Sequence, residues 1–542
     1  MNQGWIGQII LRMLRGLPLL LTFGFATAAL PAAVADEFRT PTVTTLRVDW
    51  RAALNQFRSE LNAYPIVAAE FSFSGRRGLA PSDPRQIPAL IRLNAIAARF
   101  FPGIGQSAVP VLLPFDAAAL LDADPNATPA RDQLARVQSG FRPVEMFDAG
   151  PAGYDALFAL EPGAGDDLPP RVFAKPVEVQ ITGSNLIYDI VDPLGGKGEP
   201  VKALAAQYPD LRRFIREGHV RYAFTRFGVA YVVSIQCLDS IAKAQRLACR
   251  ESYPVAERFL KALRIAGGRP YRPRSDIDAA VAERPNALAP DFTYRPSGDI
   301  IANSGFRKQQ GRPDLTVYAQ IRFPIEKQPA YARSQSYVPH RPANGGSAFA
   351  YPWRDNFCES RSFGVGQCAT GLGHQGQDIS PGACLPGQSD CDVRRQSVVA
   401  VRDGVLIRSP KHQAVTLQVN TGREHIRFRY MHMNPWELDA DGVLSGRRVA
   451  EGERFGVVGN YLDFPNGTTR HLHFDVQVFT PDGWLWVNPY TTLIAAYERL
   501  LGGRGREILP DGQPVAIEVH ATPEGAARAA EEREGGEQFE AP

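Results

Sequence analysis

Three short segments, spread over about a hundred residues, constrain this chain more than anything else in it. They are Gly373-His374-Gln375-Gly376-Gln377-Asp378, Tyr430-Met431-His432-Met433 and His471-Leu472-His473-Phe474-Asp475, and they hold four of the nine histidines in 542 residues. Side chains on a strand alternate between faces, so His471 and His473 share one face while Leu472 and Phe474 point to a packed one. The same alternation puts His374, Gly376 and Asp378 on one side if that segment is extended, with Gly376 leaving room for an ion or substrate to approach. Ile426, Phe428, Tyr430 and His432 likewise share a face, which sets His432 at the end of an apolar row. Two imidazoles and one carboxylate are a common zinc complement, and a catalytic site keeps a fourth position for water. Such a set uses two of the four histidines, leaving two to act on water or substrate. No His-Glu-x-x-His pattern occurs. Each segment alone is a weak signal; their convergence in one β-rich unit implies a zinc site.

The surroundings of these segments read as short strands between Gly, Asn and Asp turns, among them Ser397–Val401, Gly404–Ile407, Val415–Val419 and Ile426–Tyr430, so 349–502 is expected to be an all-β unit. Upstream, 36–267 is expected to be an α+β domain. Helices are expected over Thr45–Asn62 and Pro88–Phe101, and strands over Val109–Leu113, Val177–Ile181 and Tyr222–Cys237. His219 in this region is read as an ordinary surface or core residue. Residues 268–348, rich in Pro, Arg and Gly, read as a linker region with one strand-like piece at Leu315–Ile321; His340 lies here and is assigned nothing. The polar tail, 503–542, ends in a Glu-, Ala- and Gly-rich stretch expected to be disordered.

Residues 1–35 have the pattern of a secretory signal. Arg12 and Arg15 precede an apolar run, and Ala33-Val34-Ala35 fits the small-x-small cleavage site. The run is too short to span a bilayer, so no stable membrane anchor is expected after cleavage and the mature chain is expected to be periplasmic or extracellular. The six cysteines fit an oxidising compartment. Cys237–Cys249 is the natural first pair, and Cys358, Cys368, Cys384 and Cys391 leave three connectivities open. A net charge of only +3 argues against nucleic acid as a partner.

From Gly371 to Pro489, roughly a fifth of the chain, the motifs resemble in order those of the lysostaphin-type (LytM-like) zinc endopeptidases of bacterial cell walls. His374-Gln375-Gly376-Gln377-Asp378 resembles the family's His-x-Gly-x-Asp, and Val399–Val405 the strand and turn after it. Tyr430-Met431-His432-Met433 resembles Tyr-x-His-Leu with Met433 for Leu. His471-Leu472-His473-Phe474-Asp475 resembles His-Leu-His-Phe-Glu with Asp475 for Glu, and Trp486-Val487-Asn488-Pro489 resembles the closing Val-Asn-Pro. The resemblance implies a compact antiparallel β fold, a duplicated hybrid motif with a groove across it. It implies His374, Asp378 and His473 as zinc ligands and His432 and His471 as catalytic histidines. The implied substrate is the peptide part of peptidoglycan, with wall-remodelling proteins as partners. This chain departs from the family in an insertion, Pro381 to Cys391.

Two other readings compete: a LytM-like module that activates a separate cell-wall amidase, and a secreted protease acting on proteins. Loss of ligands would mark the first, and all five residues are present. Trp353, Trp436, Trp484 and Trp486 are expected either to line the groove or to fill the core. Asn356 is read as a structural turn, with a fourth zinc ligand in a latent enzyme as the other reading.

Overall fold

The computed structural model describes residues 38–62, 86–116, 121, 140–160, 177–192, 195–237, 248–270, 290–300, 314–326, 333–334, 353–380, 396–408, 413–461, 467–468, 470–502 and 504–508. The expected signal segment, His340, the insertion with Cys384 and Cys391, and the chain beyond 508 lie outside the described residues.

Helix α1 runs over Trp50–Asn62. It begins later than the apolar spacing predicts because the Asp49 carboxylate accepts from the Ala52 N–H at 2.9 Å and caps the first turn. The residues before it, Val43–Thr45, pair instead with Leu186–Tyr188. Among the described residues, helices α2 (Gln86–Ala97) and α3 (Tyr253–Ala262) join it in a helical layer. All three contribute apolar side chains to one core with a seven-stranded antiparallel sheet. In chain order the strands are β1 (Phe141–Gly150), β2 (Gly153–Leu160), β3 (Val177–Ser184), β4 (Glu199–Pro200), β5 (Arg212–Arg216), β6 (His219–Arg226) and β7 (Val229–Gln236). Across the sheet they are ordered β1-β2-β3-β7-β6-β5-β4.

The run Tyr222–Cys237, expected as one strand, is a hairpin. Phe227 (φ 53°) and Gly228 (φ 76°) both occupy the left-handed region and reverse the chain in two residues. Such a turn matches strand twist, and a phenylalanine at its first position hides it among β-formers. Cys237 and Cys249 are disulfide-bonded, as the spacing suggests, and a second bridge joins Cys358 to Cys368.

The second sheet has eight strands: β8 (Arg333–Ser334), β9 (Gln377–Ser380), β10 (Gly404–Arg408), β11 (Val415–Asn420), β12 (His425–Met431), β13 (Arg448–Val449), β14 (Leu472–Thr480) and β15 (Gly483–Val487). Their order is β8-β9-β14-β12-β11-β10-β13, with β15 also paired to β14. Helix α4 (Pro435–Ala440) follows β12, and α5 (Tyr490–Leu501) follows β15. One face of the sheet presents Ile426, Phe428, Tyr430, Leu472, Phe474, Val476 and Val478 to a core shared with α5.

Two segments differ from the sequence reading. Tyr318, Ile321, Phe323 and Ile325, placed by composition in a linker, are buried in this same core beside Trp353. An alternating apolar series inside a Pro- and Arg-rich stretch is masked by average composition. The first residues of the polar tail, Arg504–Glu507, pair in parallel with Pro290–Tyr294 and close the unit.

The two sheets meet back to face. Ala223, Ala230 and Val232 of the first pack against Phe479 and Trp484 of the second. A buried polar network crosses the same boundary. His425 places Nε2 2.9 Å from Asp155 Oδ2 and Nδ1 2.9 Å from Ser184 Oγ. Arg427 donates to Asp155 Oδ1 at 2.7 Å and stacks over Trp484, whose indole N–H donates to Thr182. Asn420 accepts from the Ala152 N–H and donates to the Gly153 carbonyl. Buried charges persist only when so partnered.

Asp148 lies at the edge of this network, where Asn420 Nδ2 donates to its Oδ2 at 3.4 Å. Burial, and then repulsion from Asp155, push its carboxyl up to about 6. A carboxyl raised in the folded state stays protonated there while the unfolded chain ionises. Its cost to stability therefore grows as pH rises from about 4 to 6 and then levels off, on the order of 3 kcal/mol. Asp148→Asn is expected to raise the Tm at pH 7.5 and to remove that part of the pH dependence. An unchanged or lower Tm at pH 7.5 would contradict the account.

Candidate metal centre

Strand β14 sits between β9 and β12 and is buried along nearly its whole length. Its alternation sends Leu472, Phe474 and Val476 into the core and His471, His473 and Asp475 to the other face. Asp378 on β9 lies directly opposite His473, and Met431 on β12 flanks it on the other side. His374, four residues before Asp378, comes back over the same spot.

Three donor atoms converge there. His473 Nδ1 is 2.9 Å from Asp378 Oδ1 and 3.0 Å from His374 Nε2, and His374 Nε2 is 3.2 Å from Asp378 Oδ1. Donors about 2.0–2.1 Å from one tetrahedral zinc lie about 3.3 Å apart, so a shift of a few tenths of an ångström accommodates the ion. Among the described residues this is the group of His, Cys, Asp and Glu side chains able to hold a metal ion. The remaining ring nitrogens fix the tautomers. His374 Nδ1 faces the Asn356 carbonyl at 2.9 Å, which only accepts, so Nδ1 carries the proton and Nε2 is free to ligate. His473 Nε2 faces Asp475 Oδ2 at 3.2 Å, leaving Nδ1 for the metal. Asp475 is itself held by Arg429 Nε at 2.7 Å and by the Trp486 indole N–H at 3.1 Å.

His432 lies just past the end of β12 with φ 66°, so its direction is set by a left-handed residue rather than by the strand's alternation. Gly459 permits this, since any Cβ there would collide with the His432 carbonyl. His432 Nδ1–H donates to the Tyr461 carbonyl, which leaves Nε2 unprotonated. Its ring centroid is 4.6 Å from that of His471 and 6.0 Å from that of His473. His471 Nε2 is 3.5 Å from Asp378 Oδ1. All five residues singled out from the sequence are thus neighbours, each 4–8% exposed.

Burial sets the charge states. It lowers His374, and it lowers His432, with help from His471 and His473, to about 3, so both rings are neutral. For Asp378 burial works the other way, but His374, His471 and the hydrogen bonds prevail and hold the carboxyl well below its usual range. His473 is also desolvated, yet the hydrogen bonds to Asp378 and Asp475 raise it. A metal at Nδ1 would replace that proton.

Some expectations change. Gly376 does not make room for an ion: a Cβ there would strike the Phe474 carbonyl and His473 Nε2, so the glycine serves the close approach of β9 to β14. Asn356 is a brace rather than a ligand, because its Oδ1 accepts from the Asp378 N–H and its N–H donates to Gln377. Of the four tryptophans, Trp353 stacks on Phe292 in the core, Trp484 and Trp486 are buried, and Trp436 is 63% exposed, edge-on to Tyr461. His219 is half-buried with Nδ1 on the Glu217 carbonyl, outside the site. Sequence reasoning passed over Asp475 as a partner of His473, although residue 475 continues the 471, 473 series.

No family model matches the chain, and no curated protein matches it. Among solved structures, it is similar to a Ruminococcus gnavus protein described as a glycyl-glycine endopeptidase, LytM, at 21% identity and a TM-score of 0.18. The alignment covers 25% of this chain and 49% of that one, so the chain spans about half the length of that protein. At this level the likeness supports no further argument.

Asp475 orients His473 and raises its basicity, so its charge is expected to matter for metal affinity although it is not a ligand. Asp475→Asn should weaken zinc binding by roughly 10–100-fold with the chain still folded, read by competition with a chromophoric chelator. Wild-type affinity in the folded variant would remove Asp475 from the site.

Proposed function

We propose that this protein is an exported zinc-dependent endopeptidase that hydrolyses peptide bonds in the stem peptides or cross-links of peptidoglycan. The observation that carries the reading is the convergence of His374 Nε2, Asp378 Oδ1 and His473 Nδ1, with His432 and His471 beside them. Both histidine donors have their other nitrogen committed to an outer acceptor, which is the arrangement a metal ligand needs. Zinc held there would supply Lewis acidity and lower the pKa of a water from ~15.7 to about 7.

The chain's own residues would divide the rest of the work. His432, neutral and with Nδ1–H given to Tyr461, offers Nε2 to take a proton from the attacking water. His471, across from it, would donate a hydrogen bond to the substrate carbonyl oxygen as negative charge builds on it. Asp475, Arg429 and Trp486 hold His473 in register, so little rearrangement accompanies the reaction. Peptidoglycan as substrate rests on the motif resemblance. Export is supported by the amino-terminal pattern and by two disulfides, which persist in oxidising compartments.

The test is digestion of isolated peptidoglycan by the zinc-loaded protein and by His471→Ala, with and without chelator, read as released muropeptides by mass spectrometry. Chelator-sensitive loss of cross-linked dimers, reduced at least ~100-fold in the variant, is expected. Intact cross-links with one zinc bound per chain would overturn the endopeptidase reading and favour a module that acts on another wall enzyme.

A further inference from the structure

The first sheet reaches the metal centre through one turn. Between β5 and β6 the chain reverses at Glu217 (φ 50°) and Gly218 (φ 71°). The Glu217 side chain is fully buried, with Oε2 taking a 3.0 Å hydrogen bond from Arg221. Its other oxygen, Oε1, leaves its own domain and accepts from the Gly366 N–H at 3.1 Å. The contact is close along its length: a Cβ on Gly364 would come within 3.2 Å of Glu217 Cα, and one on Gly366 would overlap the Arg216 guanidinium. Arg216 is fixed in turn by Asp192, and Gln367 donates to the Val191 carbonyl at 3.3 Å.

Gly364 and Gly366 lie at the tip of a loop whose far end is His374. The Cys358–Cys368 bridge closes it. The two arms are joined by Cys358 N–H to the His374 carbonyl, His374 N–H to the Glu359 carbonyl and Gly373 N–H to the Phe363 carbonyl, at 2.8–2.9 Å. Beneath the loop, Phe357, Val365 and the disulfide pack on Trp486, the residue that holds Asp475. Held at the tip by Glu217 and at the base by its own backbone, the loop keeps His374 in place.

We propose that the amino-terminal α+β domain completes the metal centre, and that Glu217 is a positioning residue acting on His374 through the 358–374 loop. The inference rests on the metal-site reading above. It gives the amino-terminal domain a role at the site: its removal would loosen a ligand.

Because Glu217→Ala would strand the buried Arg221 charge, two double variants of the full chain isolate the contact. Glu217→Gln/Arg221→Met keeps an acceptor for the Gly366 N–H and removes both charges. Glu217→Met/Arg221→Met removes the acceptor as well. Zinc affinity by chelator competition, Tm, and hydrogen exchange at residues 364–374 are measured for both and for Phe259→Ala, which weakens the core on the helical side of the sheet. The Met/Met variant should bind zinc roughly tenfold more weakly than the Gln/Met variant and exchange faster at 364–374. Phe259→Ala should lower the Tm without moving zinc affinity. Equal affinity and equal exchange in the two double variants would overturn the proposal. If the unaltered protein takes up no zinc, the metal reading falls separately, and exchange alone judges the clamp: faster in Met/Met sustains it, unchanged overturns it.

Discussion

One imidazole held between two carboxylates organises this structure. His473 lies in an interior strand of the second sheet, with Asp378 on one side and Asp475 on the other. Two buried carboxylates in such a place are costly unless every oxygen is partnered. Asp475 meets that demand with Arg429 on Oδ2 and Trp486 on Oδ1, while His374, His471 and His473 converge on Asp378 Oδ1. The core beneath (Leu472, Phe474, Tyr430 and Phe428) fixes the strand that carries the imidazole. The result is a set of three donor atoms already turned toward one point, a group that could hold a metal ion.

The second constraint is the boundary between the sheets. Asp155, Thr182 and Ser184 of the first sheet are satisfied by His425, Arg427 and Trp484 of the second. Parting the sheets would break these buried pairs and open the apolar surface of Phe479 and Trp484 to water. The residues from 314 to 326 add to the same dependence, since their apolar side chains are part of the second sheet's core. The amino-terminal half is therefore tied to the candidate site by buried chemistry, and Glu217 extends that tie to the loop bearing His374.

What was legible in the sequence follows from the range of the interactions. Alternation along 471–475 and the spacing of His374 and Asp378 are local, and they name the residues that converge. The strands β3, β9 and β12 and the helices α1 and α2 also announce themselves by period, with errors of a few residues where Asp49 caps a helix or Phe227 turns a strand. The β-rich character of the second unit was readable on the same grounds, whereas its antiparallel pairing was implied only by the motif resemblance. Contacts between distant parts were not readable. His425 meets Asp155 across 270 positions and Glu217 meets Gly366 across 149, and nothing local marks either. His425 reads as any histidine on an apolar strand until its partners are in place. The Cys358–Cys368 pairing was one of several that spacing allowed.

The account turns on whether His374, Asp378 and His473 supply the metal's donors with a position left open. Zinc K-edge X-ray absorption on the zinc-loaded protein measures this directly. The expected spectrum is four light-atom donors at about 2.0–2.1 Å, two of them imidazoles, with one imidazole's scattering lost in His473→Ala. Sulfur ligation near ~2.3 Å, or the same spectrum from His473→Ala, would contradict it.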